Sequence, residues 1–186
     1  MSKKIIFLIT VIVSAVFLIV ASLSFYFFWQ GGPRLRSINK NLPEGIRIEK
    51  RNGQEVVVNK LDDYEITAPK DWSEFKKVEY RKIDSEKIVD LESVNSQLIE
   101  IKTFSDTKKE IEEWLRERWA NTPGVYIKPE VLGNEKIGKY IVLKVKDFGG
   151  EVGDIFFYYL KANSKIYEFT SDSEKSIKDI ILNGNF

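Results

Sequence analysis

The chain contains no cysteine and no histidine, and a single methionine among its 186 residues. Without cysteine there are no disulfides, thiolate nucleophiles, thiolate-held metals or lipid-modified cysteines. Without histidine there is no Ser-His-Asp triad, no histidine-ligated zinc and no histidine general base. Only carboxylate, lysine, tyrosine or serine chemistry remains. An excess of charge of one sign is missing too: 29 Lys plus Arg stand against 28 Asp plus Glu, with a pI near 7.7. That balance leaves no electrostatic footprint for nucleic acid. The aromatic run Phe156-Phe157-Tyr158-Tyr159 reads as a strand buried on both sides rather than as a platform for bases.

What the chain does have is a long apolar run. It opens at Ile5, closes at Trp29 and holds no charged residue. As a helix it would be about 37 Å long, enough to cross a hydrocarbon core of roughly 30 Å. Its last residues, Phe25-Tyr26-Phe27-Phe28-Trp29, read as an interfacial aromatic belt. The run therefore predicts a transmembrane signal-anchor that makes the lipid bilayer a partner. Lys3 and Lys4 lie inside, and a long domain follows outside. The localisation expected is a single-pass cell-membrane protein with a cytoplasmic N-terminus and an extracytoplasmic domain. Arg34, Arg36 and Lys40 just beyond the run would touch lipid phosphates or be solvated. Ser22 and Ser24 leave open the alternative of signal cleavage and a secreted soluble protein.

The expected organisation is a short tail over 1–4, the membrane helix over 5–29, a linker over 30–44 opened by Gly31-Gly32-Pro33, and one domain over 45–186. Asn52-Gly53 between Ile46-Arg47-Ile48 and Val56-Val57-Val58 predicts a hairpin. Tyr64–Thr67, 78–81 and 98–101 read as further strands. Thr107 with Glu110 forms a capping box for a helix over 107–120, whose stripe is Ile111, Trp114, Leu115 and Trp119. Three strands follow. The first, 140–146, is expected to place Ile141, Leu143 and Val145 on one face. The second, 155–160, is central, and the third, 165–170, returns after Asn163-Ser164. Ser171 and Glu174 suggest a second capping box, with Ile177, Ile180 and Ile181 inward and Asn183-Gly184 as the stop. The fold class expected is α+β, an antiparallel β-sheet covered by helices and preceded by one transmembrane helix.

The pattern Tyr64-x-Ile66-x-x-Pro69-x-x-Trp72 follows the hairpin and precedes a strand. With the amphipathic helix, the three-strand run and the short last helix, it resembles the PsbP-like superfamily. That superfamily includes photosystem PsbP proteins, Ran-binding Mog proteins and many bacterial exported proteins. The resemblance covers nearly all of 45–186 and implies an antiparallel sheet covered by helices, with a binding or assembly-accessory role and no catalysis. It does not carry over the ion contacts of the photosystem members, which use histidine, nor the nuclear partner of the Mog members.

Candidate chemistry is sparse. Asp147, Glu151 and Asp154 lie on a glycine-rich connection, 147–154, that offers oxygen ligands to a cation but lacks the ligand periodicity of a calcium loop. Plain hairpin geometry is the competing reading. Glu112 and Glu113 are neighbours on a helix and point about 100° apart, which does not suit a pair of catalytic carboxylates. Trp119 and Tyr126 could line a mouth that contacts a ligand or partner, or simply pack. The function expected is a membrane-anchored, extracytoplasmic binding or assembly-accessory module. It would have no catalytic residues and no cofactor, and its partner would be another envelope protein. The alternative is a hydrolase-type enzyme built on Asp and Glu residues that converge only on folding.

Overall fold

The structure is a computed structural model and describes residues 12–22, 24, 32–105, 108–121, 129–148 and 154–186. Helix α1 is described over residues 12–22. The remaining elements run in the order α2 (Gly32–Lys40), β1 (Ile46–Arg51), β2 (Gln54–Asn59), β3 (Tyr64–Thr67), β4 (Phe75–Ile83), β5 (Glu86–Ser93), β6 (Leu98–Phe104), α3 (Ile111–Asn121), β7 (Glu130–Ile137), β8 (Tyr140–Phe148), β9 (Asp154–Ala162), β10 (Lys165–Ser171) and α4 (Glu174–Asn183).

The strands form two antiparallel sheets, one ordered β1-β2-β3 and the other β4-β5-β6-β10-β9-β8-β7. The turns that set their registers carry residues that tolerate left-handed backbone. Asn52 and Gly53, at φ 51° and 83°, join β1 to β2. Asn163 and Ser164, at φ 51° and 61°, join β9 to β10. Both fit the primed turns that match strand twist.

Because side chains alternate across a strand, the seven-stranded sheet has two distinct faces. One face carries Val89, Leu91, Ile99, Ile101, Tyr158, Leu160, Tyr167 and Phe169, all buried. Against it pack the small sheet (Ile46, Ile48, Val57, Ile66), α2 through Leu35, and α4 through Ile177, Ile180 and Ile181. Each aliphatic side chain so buried contributes about 1.5–3 kcal/mol. The other face carries a smaller cluster of Phe104, Leu143, Val145, Tyr159 and Ile166. Helix α3 covers that cluster through Leu115, with Ile111, Trp114 and Trp119 packed around it. The chain leaves β6 in the middle of the sheet and resumes at β7 on the far edge, with α3 between them in sequence.

Several expectations need correction. The transmembrane helix over 5–29 is not supported, and neither are the signal-anchor and single-pass membrane localisation that rested on it. Among the described residues no helix is long and apolar enough to cross a membrane. Residues 12–22 are helical. Apart from Ser24, the rest of that run lies outside the described residues.

The stretch read as a linker, 30–44, contains α2, which buries Leu35 completely. Pro33 does not break this helix, because it stands in the first turn, where its missing N–H costs nothing. Helix α3 begins at Ile111, later than expected, and the expected cap Thr107 lies outside the described residues. The N-cap of α4 is Ser173, whose side chain accepts from the Ser176 N–H, rather than Ser171. Ser171 instead donates to the Leu98 carbonyl at 2.7 Å. Ile141 does not share the burial of Leu143 and Val145 and is 65% exposed. Gly184 stops α4 in extended backbone, at φ −83°.

Candidate functional site

Only part of the α3-bearing face is covered by the helix. Where β8 and β9 emerge beside the start of α3, a groove of about 720 Å³ opens. Its apolar lining comes from Ile111 at the first turn of α3 and from Leu143 and Ile141 on β8. Alternation along β8 puts Ile141 and Leu143 on one face, yet α3 reaches only Leu143, which leaves Ile141 uncovered. The polar lining is Glu110 and Glu112 from the helix side, Asn134 from β7, and Lys161, Asn163 and Ser164 from the end of β9 and its turn. The Lys161 ammonium bonds the Glu110 carboxylate at 2.9 Å across the groove. An apolar floor with a few polar groups at its rim can hold an apolar side chain and orient what carries it.

Helix α3 is held over the sheet at its other end by Arg118. That guanidinium lies over the Phe104 ring at 4.5 Å and over the Trp114 ring at 5.4 Å, and it pairs with Glu86 on β5. A planar cation stacked on two rings and bonded to a carboxylate fixes the helix more firmly than a surface lysine would.

Beyond α3, on β4, β5, β6 and β10, the same face is charged. The register places Glu79 opposite Asp90 and Asp90 opposite Glu100, three carboxylates in a row across adjacent strands. Like charges so placed repel. Arg81 relieves this by bonding Asp90 through two nitrogens, at 2.6 and 3.0 Å, and reaching Glu100 at 3.1 Å. Lys77 pairs with Glu79 at 2.7 Å. Lys102 bridges Glu100 at 3.2 Å and the buried Glu168 at 3.3 Å. Burial works to lower the Lys102 ammonium, but the charges of Glu168 and Glu100 outweigh it and hold its pKa above the usual lysine value. Tyr159, opposite Glu168 in register, is pushed well above the ordinary phenol range, first by burial and then by the Glu168 charge.

The residues singled out from sequence fall as follows. Trp119 is half-buried and packs on the cluster under α3, not on the groove. Tyr126 and Glu151 lie outside the described residues. Asp147 stands opposite Ile155 in the β8–β9 register, while Asp154 stands opposite Phe148. Among the described residues no group of three or more acidic side chains is arranged to hold a metal ion. Glu112 and Glu113 are both exposed. Sequence reasoning missed Ile141 as an open apolar position, and it missed the row Glu79, Asp90 and Glu100. The signal for the row is alternation within each strand, but its meaning depends on registers between strands far apart in sequence.

Comparison of the chain with protein-family models, with curated proteins and with solved structures finds no match in any of the three.

Proposed function

We propose that this protein is a binding or assembly-accessory module without a reaction of its own, and that the groove beside the start of α3 is where it meets a partner protein. The observation that carries this reading is Ile141. It is a large aliphatic residue on the groove floor that keeps 65% of its surface in water. An apolar group left open in a polar-rimmed depression is what a docking surface offers. The disposition of the acidic groups supports the non-catalytic half of the reading. Asp90, Glu100 and Glu168 each have a cation within hydrogen-bonding or ion-pairing distance, so their charges are used in holding the sheet face together. The PsbP-like resemblance implies the same kind of role. The near balance of acidic and basic residues does not favour nucleic acid as the partner.

A second reading, a hydrolase using convergent carboxylates, draws on the row Glu79, Asp90 and Glu100 with Glu168 close by. A hydrolase screen over ester, glycoside, phosphoester and peptide substrates separates the two. The binding reading expects no turnover above the uncatalysed rate. Turnover that falls at least a hundredfold in Glu100→Gln would establish the enzyme and remove the binding-only role.

A further inference from the structure

The exposed Ile141 lies between two lysines. Lys136 of β7 stands opposite it in the β7–β8 register. On the other side, Leu143 stands opposite Tyr159 of β9, and both belong to the cluster under α3. The antiparallel register then brings Ile141, two residues before Leu143, level with Lys161, two residues after Tyr159. Alternation keeps all three on the α3-bearing face. The row across the groove floor therefore reads Lys136, Ile141, Lys161, with the two lysine backbones about 10 Å apart, two strand spacings.

Neither cation is firmly held. Lys136 is exposed and has no ion-pair partner among the described residues. Lys161 pairs with Glu110, whose side chain keeps 83% of its surface in water. A pair that exposed contributes little and exchanges readily. The side chains of Asn134, Asn163 and Ser164, also at the groove, make no hydrogen bond among the described residues. The helix wall has the opposite sign, with Glu110 and Glu112. An occupant that covers Ile141 has to lie over the sheet wall, between the two ammonium groups. A basic segment there would bring its charge toward both lysines. Glu110 already shows what Lys161 takes, a carboxylate at 2.9 Å.

We propose that the groove receives a segment of a partner protein in which an aliphatic side chain, seated on Ile141, adjoins an acidic one held by Lys136 and Lys161. Glu110 occupies the Lys161 position until that acid displaces it. This rests on the groove being a docking site, as argued above, and adds the sign of charge the partner carries.

The test is selection of a phage-displayed random peptide library on the full chain, with Ile141→Ser as the counter-selection target. An enriched peptide is then measured by fluorescence anisotropy on the wild type and on Lys136→Gln, Lys161→Gln and Glu110→Gln. These side chains are partly or fully exposed, so the variants are expected to keep the wild-type Tm. Peptides that need Ile141 are expected to pair an aliphatic residue with Asp or Glu. Binding is expected to weaken at least fivefold in each lysine variant, to tighten at least threefold in Glu110→Gln, and to weaken as salt is raised. Peptides that need Ile141 but are basic or uncharged, or that bind the lysine variants as well as the wild type, overturn this inference and leave the docking groove standing. Absence of any enrichment that depends on Ile141 overturns both. A wild type that dimerises with rising concentration while Ile141→Ser stays monomeric assigns the groove to a second copy and overturns the partner assignment.

Discussion

The Tyr158 hydroxyl donates to the Glu174 carboxylate across 2.6 Å, tying the interior strand β9 to the first turn of α4. Lys144, one strand over, bonds the same carboxylate oxygen at 2.7 Å. Burial would raise the Glu174 carboxyl, but these two donors and the charges of Lys144 and Lys178 outweigh it and hold its pKa below the usual value. A carboxylate lowered in the folded state contributes stability above its unfolded value, about 4.3, and loses it as the pH falls through the folded value. The stability difference between wild type and Glu174→Gln is therefore expected to be largest near pH 6 and to shrink toward pH 3. Urea titrations across that range measure it, and a difference that grows on acidification contradicts the assignment. Tyr158→Phe is expected to cost about 1 kcal/mol at pH 7, the cost of a charge-assisted bond discounted for the partly exposed carboxylate.

Asn39 closes the free edge of β1. Its side-chain amide donates to the Ile48 carbonyl at 2.9 Å and accepts from the Ile48 N–H at 2.6 Å, as a neighbouring strand would. Asn39→Ala removes both bonds and is expected to destabilise by about 1–3 kcal/mol in a denaturant titration. Asn39→Asp keeps the acceptor and should fall between.

Glu55 is buried beneath Arg34 and also accepts from the Phe75 N–H at 2.8 Å, which links β2 to β4 and α2. Glu55→Ala strands the buried Phe75 N–H and leaves Arg34 with Glu74 as its remaining carboxylate partner. The expected loss is about 1–3 kcal/mol. Thermal unfolding of the variant, with Arg34→Ala and the double variant completing the cycle, measures how much of it belongs to the pair.

Gly184 is needed for a steric reason and not for a left-handed backbone. A Cβ there would lie 2.5 Å from the Phe186 ring and 2.7 Å from the Ile180 carbonyl oxygen. Gly184→Ala is expected to cost about 1–3 kcal/mol, measurable as a lowered Tm, with Asn185 and Phe186 losing hydrogen-exchange protection first.

Much of this architecture could be read from local signals. Asn52-Gly53, the strand at Tyr64–Thr67, the stripe of Ile111, Trp114, Leu115 and Trp119, and the inward Ile177, Ile180 and Ile181 all report on their own neighbourhoods. Strand β5 escaped because Ile88 and Val89 are adjacent, one buried on each face, and charged residues surround them. Strand β7 escaped because it is an edge strand, with an irregular register between Val131 and Gly133 and exposed side chains. Helix α2 escaped because it fully buries only Leu35 and opens on Gly32-Pro33, residues that read as a break. The groove was not legible, because the exposure of Ile141 depends on where α3 stops covering β8. The packing of Phe186 was not legible either. It meets rings from β3, β8 and β10, which only the sheet registers bring together.

The most direct measurement of the binding role is a photo-crosslinker placed at position 141 in the full chain, compared with one at Leu61, another partly exposed aliphatic position outside the groove. A partner that docks in the groove is expected to crosslink from position 141 at a defined stoichiometry and not from position 61. Arg at position 141 should abolish that complex while shifting stability by no more than about 0.5 kcal/mol, as for an exposed site. Equal crosslinking from both positions, or a complex unaffected by Ile141→Arg, would contradict the account.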